Sequence, residues 1–126
     1  AFDVLLPAGF ELSYLDRAPY HSECGFVGYR LPEALPFIRR FAAIYATDAF
    51  MSMREWHDSY VFDELRRHVG GAHYNLSAEC TREHRRHPFI VHPILARYMD
   101  HLKGDSYKRD GVSAEHPMRN QILAWK

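Results

Sequence analysis

The sequence predicts an α+β fold in which short strands within residues 2–30 pack on two or three amphipathic helices, near residues 33–46, 54–69 and 93–101. In parts of the first 30 positions apolar and polar residues alternate, as they do in a half-buried strand. After residue 33 the apolar residues recur every three or four positions, which is typical of an amphipathic helix. The two patterns together indicate strands first and helices afterwards.

Three segments carry the strand prediction. Residues 2–6 form a short apolar run that ends at Pro7 and Gly9. Residues 10–15 alternate between apolar and polar side chains, which is the period of a strand with one buried face. Residues 24–29 are apolar and contain two glycines, which in a strand mark the close approach of another backbone or of a ligand.

Two longer segments carry the helix prediction. The first, residues 33–46, follows Pro32, and its apolar residues at helical spacing are Leu35, Phe37, Ile38, Phe41, Ala42 and Tyr45. The second runs from about Arg54 to His68 and ends at Gly70 and Gly71. On this helix one side is shared by Trp56, Tyr60, Val61, Leu65 and His68.

The last third of the chain predicts less regular structure. Residues 72–92 are polar and rich in histidine, and we interpret them as a long surface loop, a kind of segment that is usually functional or mobile. Pro93 begins the third, shorter helix, which we place at residues 93–101. At this length the whole chain, residues 1–126, is predicted to be a single domain.

Composition excludes several functional classes. Lys and Arg together number 16, as do Asp and Glu, so the chain has no basic excess for nucleic acid or for an anionic membrane surface. The apolar runs are too short to span a membrane, and no signal peptide is visible, so we expect a cytoplasmic protein without nucleic-acid or membrane partners. Cys24 and Cys80 lie far apart and are expected to be reduced, partly buried thiols, although a single bridge stays open.

Glu23 and the segment around Asp58 supply candidate carboxylates. Glu23 stands directly before a glycine-containing strand, where it can accept hydrogen bonds from sugar hydroxyls or simply form a turn. On a helix Glu55 and His57 cannot face one direction, whereas Glu55 and Asp58 can, because they are three residues apart. Asp58 can act as a base or as a charge that the helix dipole favours. His57-Asp58 is also the dipeptide of metal-dependent phosphohydrolases.

Histidines and cations supply candidate ligands in the last third. His84, His87, His92 and His101 can form a zinc or iron site if 84–87 is helical, but Arg82, Arg85 and Arg86 favour a solvated basic loop. Residues 100–109 predict a diphosphate–metal site instead. There His101 would ligate the metal, while Lys103, Lys108 and Arg109 would neutralise phosphate oxygens.

In chain order these pieces resemble the C-terminal half of a nucleotide-sugar glycosyltransferase of the GT-A fold, in the family of retaining transferases related to glycogenin. Residues 22–27 look like its acceptor-side strand, and residues 56–59 look like its helix start whose acid faces the sugar. Residues 101–108 look like its loop that gives a histidine to the metal and a lysine to the diphosphate. The resemblance covers roughly residues 20–110.

The resemblance implies catalytic roles for Asp58 and Glu23, which should then lie in one cleft. It implies substrate binding by Trp56 and His57, together with the cations of the 101–109 loop, and a manganese or magnesium cofactor held by His101. The sugar nucleotide or a glycan is the implied ligand.

The sequence also departs from that family. No D-x-D is present, and Asp58 is followed by Ser59 rather than Gln. Because the chain also begins with Ala1, we expect a fragment that lacks the nucleotide-binding half, or a small domain that only looks similar. Two other functions stay open. One is a small metal-dependent hydrolase that uses histidine and acid residues, and the other is a non-catalytic binding or homo-oligomerising module, favoured by 8 Phe, 8 Tyr and 2 Trp.

Overall fold

The computed structural model describes residues 2–81, 88–100 and 109–125, and it confirms the α+β class. The chain divides into two compact units, Ala1–Leu76 and Ser77–Lys126. No helix in the described part of the chain combines the length and the apolar character needed to cross a membrane.

A three-stranded sheet organises the first unit. Its strands are β1 at Leu12–Tyr14, β2 at Gly28–Tyr29 and β3 at His73–Asn75, in the spatial order β2-β1-β3. β1 runs antiparallel to β2, with Ser13 opposite Gly28, and parallel to β3, with Ser13 opposite Tyr74. Because β1 lies between two partners, all three of its residues are buried.

Two helices cover the core of this unit, α1 at Leu35–Tyr45 and α2 at Asp58–Val69. Phe37 of α1 and Phe62 of α2 meet edge to face, with ring centroids 5.5 Å apart, in a core shared with Leu12 and Tyr14 of β1. α2 ends at Gly70, whose φ of 68° lies in the left-handed region that glycine adopts at low cost. The predicted glycine stop of this helix is therefore confirmed.

In its described residues the second unit contains short helical pieces. They include α3 at Pro88–Val91, a 3-10 turn at Leu95–Arg97 and α4 at Arg119–Ala124. The buried apolar residues in this described part include Pro88, Phe89, Ile90, Val91, Leu95, Ala96 and Val112. Nη1 of Arg119 donates to the Val112 carbonyl at 2.9 Å, and its other terminal nitrogen pairs with Asp110, so this guanidinium ties the segment before α4 to the helix.

Several predicted boundaries are wrong. Instead of a strand, Phe2–Val4 form a 3-10 turn, and the carbonyls of Leu6, Pro7 and Phe10 accept hydrogen bonds from Arg30 rather than from a strand. β3 lies within the segment predicted to be a loop, because the chain returns there beside β1, with Glu11 N donating to Ala72 O at 2.8 Å.

The second and third helices also begin elsewhere than predicted. α2 starts at Asp58, four residues later than expected, so Trp56 lies outside the helix, and its side chain is 60 % exposed. In place of a helix over 93–101, the structure has α3, which starts at Pro88, and the turn at Leu95–Arg97. Residue 101 lies outside the described residues.

Candidate metal centre

Three side chains of the first unit bring their ligand atoms together just before α2. Nε2 of His57 lies 2.9 Å from Oε2 of Glu55, and Nε2 of His21 lies 3.0 Å from the same oxygen. The ligand atoms of all three residues lie within 4.8 Å of one another. We refer to His21, Glu55 and His57 as the His–Glu–His cluster.

The backbone before α2 places Glu55 beside His57. His57 has an extended backbone, with φ −138° and ψ 156°, and is the N-cap of the helix rather than part of it. Side chains two residues apart fall on the same side of an extended chain. The expectation that Glu55 and His57 cannot face one direction is therefore wrong, because it assumed a helix that had already begun at Arg54.

His57 has a hydrogen bond at each ring nitrogen. Its Nδ1 accepts a hydrogen bond from the backbone N–H of Tyr60 at 3.2 Å, which satisfies one of the free amides at the start of α2. An imidazole nitrogen that accepts carries no proton, so the proton of the neutral ring lies on Nε2. His57 thus donates from Nε2 to Glu55.

A buried carboxylate lies behind the ring of His21. Nδ1 of His21 lies 3.8 Å from Oδ2 of Asp63, a residue that is only 2 % exposed. The Asp63 carboxylate is itself held by Ser22, whose backbone N–H donates at 2.8 Å and whose hydroxyl donates at 2.6 Å. A carboxylate behind the second nitrogen of a histidine is the usual support of a metal ligand.

Glu55 presents a charged oxygen to both histidines. The hydrogen bond from His57, followed by the one from His21 and the charges of both rings, holds the pKa of Glu55 below its usual value. Glu55 is therefore a carboxylate at neutral pH, the form in which it can bind a cation.

The donor atoms of the cluster form a known ligand set. Two imidazole nitrogens and one carboxylate oxygen are the His2Glu set of catalytic zinc sites and the facial triad of non-haem iron sites. The side chains of His21, Glu55 and His57 are 32 %, 34 % and 45 % exposed, so water reaches the cluster. A site with three protein ligands and access to water keeps a coordination position for water or a substrate.

Both predicted carboxylates influence the pKa of Cys24. Burial first, and then the charges of Asp58, Asp63 and Glu23, raise the pKa of the Cys24 thiol to about 12, against a hydrogen bond with Ser59 that lowers it. The negative charges of Glu23 and Asp58 both disfavour the thiolate form of Cys24, although the two carboxylates have different contacts.

Each of the two carboxylates contacts a group close to it in sequence. Glu23 is buried and pairs with Arg17, with Nη1 of Arg17 3.1 Å from its Oε2. Asp58 is exposed at the first position of α2, where its Oδ1 accepts from the Ser59 N–H at 2.7 Å.

Three of the predicted substrate-binding residues, Trp56, His57 and Arg109, lie in the described part of the chain. Trp56 and His57 are neighbours, and the Trp56 indole donates to the Met53 carbonyl at 3.0 Å. Arg109 is exposed and pairs with the carboxylate of Asp110 at 2.9 and 3.0 Å. His101, Lys103 and Lys108, like His84 and His87, lie outside the described residues.

Sequence reasoning missed His21 and Asp63. His21 lies in a polar loop without a periodic pattern, and no local signal connects it to Glu55, which is 34 positions away. The sequence did contain a signal for Asp63, because this acid directly follows the apolar residues Val61 and Phe62, and all three are buried in α2. An acid on the buried side of a helix indicates a polar partner in the core.

Cys24 and Cys80 are free and half-buried, as predicted. Comparison with known proteins adds no relative, since no protein-family model, no curated protein and no solved structure matches the chain.

Proposed function

We propose that the chain is a metal-binding protein that takes up a zinc ion at the His–Glu–His cluster and uses the open coordination position for hydrolytic chemistry. The observation that carries the proposal is the convergence of two Nε2 atoms on one oxygen of Glu55. Of the functions that the sequence left open, we therefore prefer the metal-dependent hydrolase.

The donor atoms favour zinc over magnesium or calcium. Magnesium and calcium prefer shells of oxygen ligands, and this cluster offers one carboxylate beside two imidazoles. The Nε2–Oε2 distances of 2.9 and 3.0 Å need only a small expansion to span an ion with ligand bonds of about 2.0–2.2 Å.

The two histidines are not equally prepared for an ion. Nδ1 of His21 already faces the Asp63 carboxylate, so the proton can lie on that nitrogen and leave Nε2 free. In His57 a zinc ion on Nε2 would move the proton to Nδ1, which could then no longer accept from Tyr60 N–H. Zinc uptake therefore releases the cap of α2.

The open position gives the site its chemistry. Zinc in a three-ligand site lowers the pKa of bound water to about 7 and so supplies a hydroxide for hydrolysis. In this chain Glu55 would supply the negative charge that holds the cation, His21 and His57 would supply the nitrogens, and the Asp63 carboxylate would stand behind His21.

Calorimetry with zinc sulfate on chelator-treated protein tests the proposal. We expect one zinc ion per chain at the cluster and a loss of affinity of at least about tenfold in His21→Ala and in His57→Asn. His57→Asn is informative because an asparagine keeps an oxygen that can cap α2 while the ligand nitrogen is lost. Faster hydrogen exchange at the Tyr60 amide in the zinc-bound protein would report the released cap.

Two controls separate this site from the other histidines. His68→Ala removes an exposed imidazole of α2 and should leave zinc binding unchanged. The double variant His84→Gln/His87→Gln removes the histidines at positions 84 and 87 and should also bind zinc normally. Loss of zinc in this double variant, with normal binding in His21→Ala, would refute the proposed site.

A glycosyltransferase-like protein that binds a sugar nucleotide or glycan, with manganese or magnesium, is the second candidate. It is supported by the exposed carboxylate of Asp58 at the first position of α2, the position that the resemblance assigns to the acid facing the sugar. Titration with uridine diphosphate in the presence of manganese distinguishes the two functions. Weak, salt-sensitive binding that needs manganese and survives His21→Ala would favour the transferase.

A further inference from the structure

The aromatic ring of Tyr60 contacts both histidines of the His–Glu–His cluster. Its centroid lies 5.3 Å from that of the His21 ring, at an interplanar angle of 86°, and 6.2 Å from that of the His57 ring, at 63°. The two imidazoles also contact each other, with their centroids 5.0 Å apart. All three contacts are edge to face, an arrangement that aromatic pairs prefer. The three rings therefore form one mutually packed group.

The start of α2 brings Tyr60 into this group. His57 is the N-cap of the helix, and the backbone N–H of Tyr60, three residues later, donates to its Nδ1. Side chains three residues apart lie close together on a helix. The ring of Tyr60 therefore reaches the same imidazole that accepts from its amide, and Tyr60 contacts His57 through both its backbone and its side chain.

The ring contacts are compatible with a bound ion, whereas the hydrogen bonds of His57 are not. An ion on Nε2 would replace the hydrogen bond to Glu55, and the proton moved to Nδ1 would end the bond from the Tyr60 amide. The edge-to-face contacts with Tyr60 and His21 use no lone pair of a ring nitrogen. They can therefore persist when the zinc ion replaces both hydrogen bonds.

We propose that Tyr60 is a positioning residue of the metal centre, whose ring keeps the imidazoles of His21 and His57 in the orientations that direct Nε2 toward the ion. This inference rests on the zinc site proposed above. A ligand ring that rotates freely must be ordered when the ion binds, and that ordering lowers the affinity. Rings that are already packed against a neighbour reduce this cost.

The ring of Tyr60 carries this role, and its hydroxyl does not. The contacts join ring to ring, and phenylalanine supplies an aromatic ring of the same size. Leucine keeps an apolar side chain of high helix propensity but removes the aromatic edge and face. Because Tyr60 is half-buried near the start of α2, neither substitution adds volume to the core.

Calorimetry with zinc sulfate on the chelator-treated full chain tests the role. We expect Tyr60→Phe to bind zinc within about twofold of the parent and Tyr60→Leu to bind at least about fivefold more weakly. Tyr45→Leu is the matched control, because Tyr45 is also a partly exposed tyrosine but packs against Phe41 and Phe50 of another part of the unit. It should bind zinc like the parent.

Histidine rotamers in the zinc-free protein separate positioning from a general loss of stability. Three-bond Hα–Hβ couplings measured by NMR report whether a side chain keeps one χ1 rotamer or averages over several. We expect one rotamer for His21 and His57 in the parent and in Tyr60→Phe, and averaged couplings in Tyr60→Leu. A folded Tyr60→Leu chain in which both histidines keep one rotamer would refute the positioning role.

The zinc measurements also distinguish failure of this role from failure of the zinc site. Parent-like affinity in Tyr60→Leu, together with a loss in His21→Ala, would refute the role of Tyr60 alone. Equal losses in Tyr60→Phe and Tyr60→Leu would assign the effect to the hydroxyl and contradict positioning by the ring. Zinc binding that survives His21→Ala would refute the zinc site and the role of Tyr60 together.

Discussion

At the scale of single residues, Asp63 connects the core of the first unit to the candidate metal centre. Its carboxylate receives two hydrogen bonds from Ser22 and lies 3.7 Å from a terminal nitrogen of Arg66 and 3.8 Å from His21. Because the residue is 2 % exposed, each of these groups would lose a buried partner if the carboxylate were removed. One side chain thus lies between the buried Ser22 and the candidate metal ligand His21.

Replacing Asp63 should therefore be costly. We expect Asp63→Ala to lower the free energy of unfolding by about 2–3 kcal/mol, because buried donors lose a charged acceptor. Urea denaturation measures the change. Glu64→Ala, which removes only a 2.8 Å surface pair with Arg67, should change stability by less than about 0.5 kcal/mol. Equal effects of the two substitutions would contradict the assigned role of Asp63.

The two thiols give a second prediction at this scale. Burial is the main cause that raises the pKa of Cys24 to about 12 and that of Cys80 to about 11. Since the thiolate is the reactive form, a raised pKa leaves little of it at pH 8, and reactivity grows only as the pH rises toward the raised values. A disulfide reagent at pH 8 should modify the native chain at least about tenfold more slowly than the urea-unfolded chain. Similar rates would show that the thiols are not protected.

At the scale of elements, the start of α2 depends on a histidine in a position that usually holds Ser, Thr, Asp or Asn. The cap formed by His57 and the ligand function proposed for it use different ring nitrogens, Nδ1 and Nε2. Stability and zinc affinity can therefore be separated by substitution.

We expect His57→Ala to lower the free energy of unfolding of the zinc-free protein by about 1 kcal/mol, because the Tyr60 amide loses its acceptor. His57→Asn should stay within about 0.5 kcal/mol of the parent, since asparagine is a preferred cap. Both variants should lose zinc affinity. Thermal and urea unfolding monitored by circular dichroism measure the difference, and an asparagine variant as unstable as the alanine variant would argue against capping by Nδ1.

At the scale of the whole molecule, the first unit ends at Leu76 and contains the sheet, its two helices and the candidate metal centre. Ala1–Leu76 contain all three strands of the sheet, both α1 and α2, and the His–Glu–His cluster. A unit of this size has enough apolar surface to fold without a disulfide.

We therefore expect a fragment of residues 1–76 to unfold cooperatively and to bind one zinc ion with the affinity of the full chain. Circular dichroism and calorimetry on the fragment provide the test. A fragment that lacks cooperative unfolding would support the predicted single domain of residues 1–126, because the first unit would then need the rest of the chain.

The sequence alone determined those parts of the fold that depend on neighbouring residues. The three-to-four spacing predicted α1 to within about two residues of Leu35–Tyr45, and the pair Gly70-Gly71 predicted the end of α2. Both signals are local, since a helix is stabilised by contacts within a few positions and ends where glycine permits a left-handed turn. The wide separation of Cys24 and Cys80 likewise predicted free thiols.

Only the tertiary structure decided the candidate site and the third strand. β3 is three residues long, too short to show a period, and it forms because the chain after α2 returns beside β1. His21 meets Glu55 because Ser22 is anchored to Asp63 of α2, a contact across 41 positions. Such contacts depend on how the helix packs against the loop before β2. No sequence pattern within either segment shows that the two segments meet.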